Sequence, residues 1–154
     1  MSLKLYLAHP LSGHDYGGIM TYYRGLSRRL PYYDILCPMV AKERLKGMTL
    51  SDGHKQFPVT TPHAIVERDR WMVSQADVVL VDLTPANSDS GVSIGCVSEL
   101  AWAALLGKHT VLVMEDGNVH DHSFVRENAD VIFPALEEAE GYLTRLAKGI
   151  LNEE

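Results

Sequence analysis

Apolar residues fall into short runs that alternate with longer amphipathic stretches along the chain. Leu3 to Ala8 is an alternating apolar run that predicts a first strand. Asp77 to Leu83 and His109 to Met114 are rich in Val and Leu without alternation, which indicates strands buried on both faces, as in a parallel sheet. Tyr33 to Cys37 and Val131 to Phe133 predict two shorter strands, so that we expect five strands in all.

Helical periodicity predicts a helix in most of the intervals between these strands. Thr61 followed by Pro62 is typical of a helix N-cap, and Gly107 of a helix C-terminus. The predicted helices are Ile19 to Leu30, Pro62 to Gln75, Ile94 to Leu106 and Leu136 to Leu151. Strands that alternate with helices favour an α/β fold with right-handed crossovers, namely a three-layer sandwich around a mostly parallel five-stranded sheet, Rossmann- or flavodoxin-like.

Ligands of such sheets bind at the carboxyl ends of the strands, where the strand order reverses. We therefore expect the loops after Ala8, Leu83 and Met114 to converge on a site. Pro38 to Pro62 has little periodicity and several turn formers. A loop this long inside a small domain is often a functional lid. We expect this segment to help decide which ligand is accepted.

Composition narrows the class of protein. The chain has 154 residues, and 14 Lys and Arg against 20 Asp and Glu give a net charge of −6. We expect one domain over residues 1–154, no nucleic acid polymer as partner, and no membrane association, because neither a basic surface nor a long apolar run is present. Cys37 and Cys96 are too few for a disulfide framework. A cytoplasmic protein is the expectation.

The segment from Ser93 to Glu99 lies between a buried strand and an apolar helix. Gly95 lets the backbone approach a ligand closely, and free N–H groups at a helix start can hold an anion. Glu99 falls about one turn into the helix among apolar neighbours. Two interpretations remain open: a first-turn glutamate favoured by the helix dipole, or a desolvated carboxylate placed to attack an electrophile.

Asp69 and Asp82 are two further candidate carboxylates. A pair of carboxylates about 5 Å apart is what a retaining glycosidic cleavage needs, and Asp69 could supply the second one. The alternative for Asp69 is a solvated helix face paired with Arg68 or Arg70. Asp82 ends the central strand, where capping of the next loop explains it equally well.

The stretch from Gly117 to Ser123 carries polar groups and two imidazoles. A hydrogen-bonding ligand loop is our expectation, with helix N-capping by Asp121 or Ser123 as the alternative. Too few ligands lie there to predict a metal site, and we expect no cofactor. The glycines from Gly13 to Gly18 do not form a dinucleotide fingerprint, and the stripe of tyrosines is interpreted as packing, at Tyr22, Tyr23, Tyr32 and Tyr33.

Taken together, the chain resembles the nucleoside 2-deoxyribosyltransferase family, including relatives that hydrolyse nucleoside 5′-monophosphates. The resemblance lies in the strand of Tyr6, the helix of Asp69, the strand from Ala76 to Val79, the spacing of Gly95 and Glu99, and the Gly107-Lys108 turn. It implies that Glu99 is the nucleophile, that Tyr6 orients it, and that Asp69 contacts the leaving base and assists its protonation.

The resemblance also implies substrate contacts. Ser93 and Gly95 match positions that contact sugar or 5′-phosphate, while His122 and Ser123 lie near a position that reaches a neighbouring subunit's site. A homodimer or higher homo-oligomer with shared active sites is therefore expected. The full set of expected substrate contacts is His9, Ser12, Gly13, Asp82, Ser93, Gly95, Asn118, His122 and Ser123.

Two features depart from the family pattern. The transferases often have an aspartate about where Ser93 stands, and the loop from His9 to Gly13 differs from the usual small-residue run. A serine cannot supply that negative charge, and its absence favours a phosphate at the site. Three functions follow: deoxyribosyl transfer between nucleobases, hydrolysis of a nucleoside 5′-monophosphate, and non-catalytic nucleotide binding. The related phosphoribohydrolases that activate cytokinins are ranked low, because the Pro-Gly-Gly run before Gly95 is missing.

Overall fold

A computed structural model describes residues 1–11, 14–43, 46–48, 57–86 and 91–152. The strands are β1 (Leu3–Ala8), β2 (Tyr33–Leu36), β3 (Val78–Asp82), β4 (His109–Val113) and β5 (Val131–Phe133). The helices are α1 (Tyr16–Arg29), α2 (Pro62–Gln75), α3 (Ile94–Leu105), α4 (Ser123–Glu127) and α5 (Leu136–Leu151), and a 3₁₀ turn spans Pro58–Thr60.

The five strands form one sheet in the order β2-β1-β3-β4-β5, and every neighbouring pair is parallel. This confirms the predicted α/β sandwich, with the sheet wholly rather than mostly parallel. The chain leaves β1 toward β2 and then returns to the other side of β1 as β3. The strand order therefore reverses between β1 and β3, which is where a ligand cleft is expected in this architecture.

Alternation along β1 divides the core into two layers. Leu5 and Leu7 face α1 and α5, whereas Tyr6 and Ala8 face α2 and α3. All five residues of β3 are buried, as expected for a central parallel strand covered on both sides. The residue parity of β1 thus places Tyr6 on the same side as the two helices that carry Asp69 and Glu99.

Two elements differ from the sequence prediction by more than one residue at an end. Helix α1 begins three residues earlier than predicted, because the side chain of Asp15 accepts a hydrogen bond from the Gly18 N–H and caps a first turn that contains both glycines. Helix α4 has only five residues, and the sequence indicated a helix start here only as the alternative to a ligand loop, since one turn gives no periodicity. Its N-cap is His122, rather than Asp121 or Ser123.

Within the described ranges, every helix is too short or too polar to cross a lipid bilayer.

Candidate active site

A cavity of about 320 Å³ opens at the carboxyl end of β1, beside the point where the strand order reverses. Its described lining combines apolar and ionisable side chains, which is typical of a small-molecule site. The lining residues are Ala8, His9, Leu11, Pro38, Lys42, Ile65, Asp69, Ser93, Gly95, Cys96 and Glu99. The cavity thus brings two of the three candidate carboxylates, Glu99 and Asp69, together with three of the predicted substrate contacts, at His9, Ser93 and Gly95.

Glu99 belongs to the buried face of α3. The buried positions of this helix are Cys96, Glu99, Leu100 and Ala103, which is the i, i+3, i+4, i+7 spacing of a core-facing stripe. Glu99 therefore places a carboxyl group in an otherwise apolar stripe, and the residue is only 8% exposed. Of the two interpretations of Glu99, this position agrees with the desolvated carboxylate and not with a solvated first-turn residue.

Asp69 occupies the same kind of position on α2, where it is buried with Met72 and Val73. Its partner is neither neighbouring arginine. Lys42 Nζ lies 3.7 Å from Asp69 Oδ2, and both side chains are buried. Arg70 instead pairs with Glu67 on the exposed face of the helix. The other oxygen of Asp69, Oδ1, is buried and has no hydrogen-bond partner among the described residues.

Tyr6 is fully buried next to Glu99 and does not itself line the cavity. Within the described part of the chain, no atom forms a hydrogen bond with its hydroxyl at the usual distance and angle. Burial, and then the nearby charge of Glu99, raise the pKa of Tyr6 well above its usual value, so the group remains a donor. The position lets the hydroxyl turn toward the Glu99 carboxylate, as an orienting residue would.

The electrostatics of the site make Glu99 a weaker acid than a solvated glutamate. Burial raises the pKa of Glu99 to about 8; the neighbouring charge of Asp69 acts in the same direction, whereas Tyr6 and Lys42 oppose it. Burial also raises the pKa of Asp69, against the opposing effect of Lys42. Perturbed carboxylates in a cleft are characteristic of catalytic sites, because burial strengthens their interaction with a developing positive charge.

The first turn of α3 forms one wall of the cavity through Ser93 and Gly95. Ser93 is the N-cap, and its side chain accepts from the Cys96 N–H. Among the described residues, a Cβ at Gly95 would meet no atom within 4 Å outside its own helix turn, so their packing does not require glycine there. The absent side chain leaves room on the cavity side, where a ligand can approach the helix N-terminus.

His9 faces the cavity from the end of β1. Its Nδ1 lies 2.9 Å from the carbonyl oxygen of Pro10, to which it must donate. Nε2 then carries a lone pair, and it is buried without a partner among the described residues. Burial lowers the pKa of His9, which keeps the ring neutral. The ring packs against Tyr22 and Tyr23, with centroids 4.4 and 5.2 Å away.

Other predicted contacts lie outside the cavity lining. Asp82 accepts hydrogen bonds from the Tyr22 hydroxyl at 2.5 Å and from the N–H and hydroxyl of Thr84, which is the capping role that the sequence left open. Asn118 is buried and binds the Leu83 carbonyl oxygen. His122 and Ser123 are exposed at the start of α4. Ser12 and Gly13 lie outside the described residues.

Two residues near the site were not predicted. Lys42 comes from the aperiodic segment after β2, where no pattern marks one lysine among several charged residues. His120 is buried and accepts a hydrogen bond of 2.7 Å from the Ser93 N–H. The polar residues from Gly117 to Ser123 predict a ligand loop here, but no pattern in them indicates that the His120 side chain is buried and the His122 side chain exposed.

The cysteines do not offer a competing nucleophile. Burial raises the pKa of the Cys96 thiol, and it raises that of Cys37 to about 11, so both remain protonated at neutral pH. Among the residues that the structure describes, His, Cys, Asp and Glu form no group of three that could hold a metal ion. The described lining of the cavity offers two carboxyl groups, an ammonium group, a hydroxyl and a neutral imidazole.

Solved structures of several other proteins share the fold. A 2-deoxyribosyltransferase from Bacillus psychrosaccharolyticus matches with a TM-score of 0.64 at 16% identity, covering 94% of this chain and 95% of that one. One from Leishmania mexicana matches with a TM-score of 0.58 at 22% identity, covering 93% and 97%. The CMP N-glycosidase BcmB of Clostridium botulinum matches with a TM-score of 0.54 at 16% identity, also covering 93% and 97%.

A search of the curated proteins gave no match. The family model for nucleoside 2-deoxyribosyltransferases, however, matches residues 5–147, which is nearly the whole chain and includes every residue of the cavity lining. This confirms the resemblance drawn from Tyr6, Asp69 and the Gly95–Glu99 spacing. The chain belongs to the nucleoside 2-deoxyribosyltransferase family and is an enzyme of the deoxyribosyltransferase and N-glycosidase type.

Proposed function

We propose that the protein cleaves the N-glycosidic bond of 2′-deoxynucleosides through a covalent glycosyl-Glu99 intermediate and transfers the 2-deoxyribosyl group to another nucleobase. The observation that supports this most is the burial of Glu99 and Asp69 in one cavity, each on the core-facing stripe of its helix. Two carboxyl groups in one dry cleft suit a retaining mechanism, in which one attacks while the other assists the leaving group.

In the first step, Glu99 attacks C1′ from one face while the base departs from the other. Positive charge develops on the sugar, and an anionic carboxylate in a low-dielectric pocket stabilises that charge more strongly than water would. The Asp69 side of the cavity, where Oδ1 has no hydrogen-bond partner among the described residues, receives the base and supplies the proton that the base takes up. In the second step an incoming base attacks C1′, gives up a proton to the same side of the cavity, and restores the Glu99 carboxylate.

Hydrolysis of a nucleoside 5′-monophosphate is the second candidate. The observation that favours it is the N-terminal turn of α3, where Ser93 and Gly95 border the cavity and can present N–H groups to a phosphate. A structural neighbour is a CMP N-glycosidase by name. Glu99 would play the same part in both reactions, and only the group that attacks the intermediate would differ.

We also propose that the active enzyme is a homodimer or higher homo-oligomer with shared active sites. His122 and Ser123 are exposed and lie outside this chain's own cavity lining. Phe124, beside them, is 76% exposed, and Ile94, at the start of α3, is 72% exposed. Mixing inactive Glu99→Ala and His122→Ala variants tests the sharing, because hybrid assemblies would regain a fraction of the activity if the sites are shared and none if they are not.

A product assay tests the function itself. The protein is incubated with deoxynucleosides and with deoxynucleoside 5′-monophosphates, with and without an acceptor base, and products are separated by chromatography. Exchange that requires an acceptor supports transfer, whereas free base and sugar phosphate support hydrolysis. Glu99→Ala should abolish either activity, and Glu67→Ala, an exposed glutamate on α2, is the matched control. Binding without turnover of any substrate by the unaltered enzyme would contradict the proposal.

A further inference from the structure

Lys42 occupies a place that is costly for a lysine. The residue is 2% exposed, and it lines the cavity together with Asp69 and Glu99. Burying an ammonium group disfavours its charged form unless a partner compensates for the lost water. The position therefore calls for an explanation beyond the chance placement of a surface lysine.

The pairing with Asp69 explains only part of the burial of Lys42. The separation of 3.7 Å between Lys42 Nζ and Asp69 Oδ2 is longer than a charge-assisted N–H···O hydrogen bond of about 2.7–2.9 Å. An ammonium group has three donors, and Asp69 Oδ1 is an acceptor without a partner in the described part of the chain. Both members of this loose pair line the cavity, so a ligand bound there can contact them.

We propose that the ammonium group of Lys42 donates the proton that the departing base takes up, while Asp69 holds that ammonium group against the base. The inference rests on the proposed function, since it assumes that a nucleobase leaves from this cavity. It assigns a second catalytic residue, and it makes Asp69 the residue that positions the donor rather than the donor itself.

The charges of the neighbouring groups agree with this assignment. Burial lowers the pKa of Lys42 from its usual value near 10.5, which makes it a stronger acid, while Asp69 opposes the shift. Arg68 acts in the same direction as burial, and Glu99 and Cys37 act against it. An ammonium group whose pKa is lower than usual is better matched to proton transfer near neutral pH.

Bond cleavage and proton transfer balance in this step. The C1′–N bond breaks and its electron pair stays on the base, while a carboxylate oxygen of Glu99 bonds to C1′. One proton moves from Lys42 Nζ to a ring nitrogen or carbonyl oxygen of the base, which leaves neutral. Lys42 is then a neutral amine, and it takes up the proton that the attacking base or water gives up when the ester to Glu99 breaks.

Substrates with different leaving groups separate proton donation from a structural role. A nucleoside needs the proton, whereas the 4-nitrophenyl glycoside of the same sugar releases a stable anion and does not. Lys42→Arg keeps the positive charge beside Asp69 but cannot release a proton near neutral pH, because arginine stays protonated. Lys42→Met removes both the positive charge and the proton donor. Lys46→Met, at an exposed lysine of the same segment, is the control.

We expect both Lys42 variants to lose about 10²–10⁴-fold in kcat/KM on the nucleoside and less than about tenfold on the 4-nitrophenyl glycoside. Lys42→Arg keeps the buried charge, so it serves the test even if Lys42→Met does not fold. Equal losses on both substrates, or full nucleoside activity in Lys42→Arg, would overturn the inference while leaving the proposed function intact. An unaltered enzyme that cleaves no nucleoside would overturn both.

Discussion

The backbone N–H of Ser93 donates a hydrogen bond of 2.7 Å to Nε2 of His120. Nδ1 of the same ring lies 2.8 Å from Oδ1 of Asn118, an acceptor, so Nδ1 carries the proton and the ring is neutral. Burial lowers the pKa of His120, which agrees with that state. The loop after β4 thus fixes the residue that caps the helix of Glu99.

Removing this ring should loosen the start of α3. His120→Phe leaves the Ser93 N–H without its acceptor, while Asn118 Oδ1 loses the ring donor and keeps the backbone N–H of residue 120. We expect a loss of about 1–3 kcal/mol in the free energy of unfolding. Activity should fall further than stability explains, and His120→Gln, whose side-chain oxygen can accept from Ser93, should recover part of kcat/KM. His63→Phe, at an exposed position on α2, is the control. Equal activity in the Phe and Gln variants would argue against positioning.

A methyl group at position 95 should separate stability from substrate binding. Gly95→Ala adds, inside a helix, a Cβ that meets no atom of the described part of the chain beyond its own turn within 4 Å, so stability should rise by about 0.4–1 kcal/mol. Gly149→Ala on α5 meets the same conditions far from the cavity. Denaturant unfolding should show both gains, whereas only Gly95→Ala should raise KM, by about tenfold or more. An unchanged KM would place the substrate away from this turn.

Neutralising Glu99 should stabilise the protein, and increasingly so as the pH rises. The pKa of Glu99 is raised from 4.5 to about 8 in the folded state, so the folded protein binds this proton more tightly than the unfolded chain does. Stability therefore declines as the pH rises through that interval, and this contribution is lost in Glu99→Gln. Thermal unfolding should show a Tm gain of about 3 °C or more at pH ~8.5 and a smaller one at pH ~5.

The exposed Glu67 supplies the comparison for that measurement. Glu67→Gln breaks only the surface pair with Arg70, so the change in stability should stay within about 1 kcal/mol and vary little with pH. A Glu99→Gln variant that is less stable than the unaltered protein across the whole range would mean that the carboxylate is ionised and well compensated in the folded state. That result would contradict a Glu99 whose pKa is raised by burial.

Much of the fold follows from local patterns. The strands β1 and β5 and the helices α2 and α5 have the predicted bounds, because alternation, buried Val and Leu runs, and the Thr61-Pro62 cap act over a few residues. The alternation of strands and helices predicts the fold class and right-handed crossovers, but it does not fix the strand order β2-β1-β3-β4-β5. Helix α4 does not follow from a local pattern, because a single turn carries no periodic signal.

The candidate site was predictable only in part. Glu99 and Asp69 stand at helical spacing from buried neighbours, and this places each on a core-facing stripe. The inward turn of Lys42 and of His120 depends on contacts with residues far away in the chain, at Asp69 and Ser93, and local sequence does not encode such contacts. For the same reason, the sequence could not decide between capping and substrate binding for Asp82.

The covalent bond between Glu99 and the sugar offers the most direct test of the proposed mechanism. A 2-fluoro substituent on the sugar slows the second step more than the first when the leaving group is good, so that a glycosyl-enzyme accumulates. Incubation with a 2-fluorinated nucleoside, followed by intact-protein and peptide mass spectrometry, should show one added glycosyl group on the peptide that contains Glu99, and none in Glu99→Gln. A substrate that turns over without any adduct, or an adduct on another residue, would contradict the mechanism.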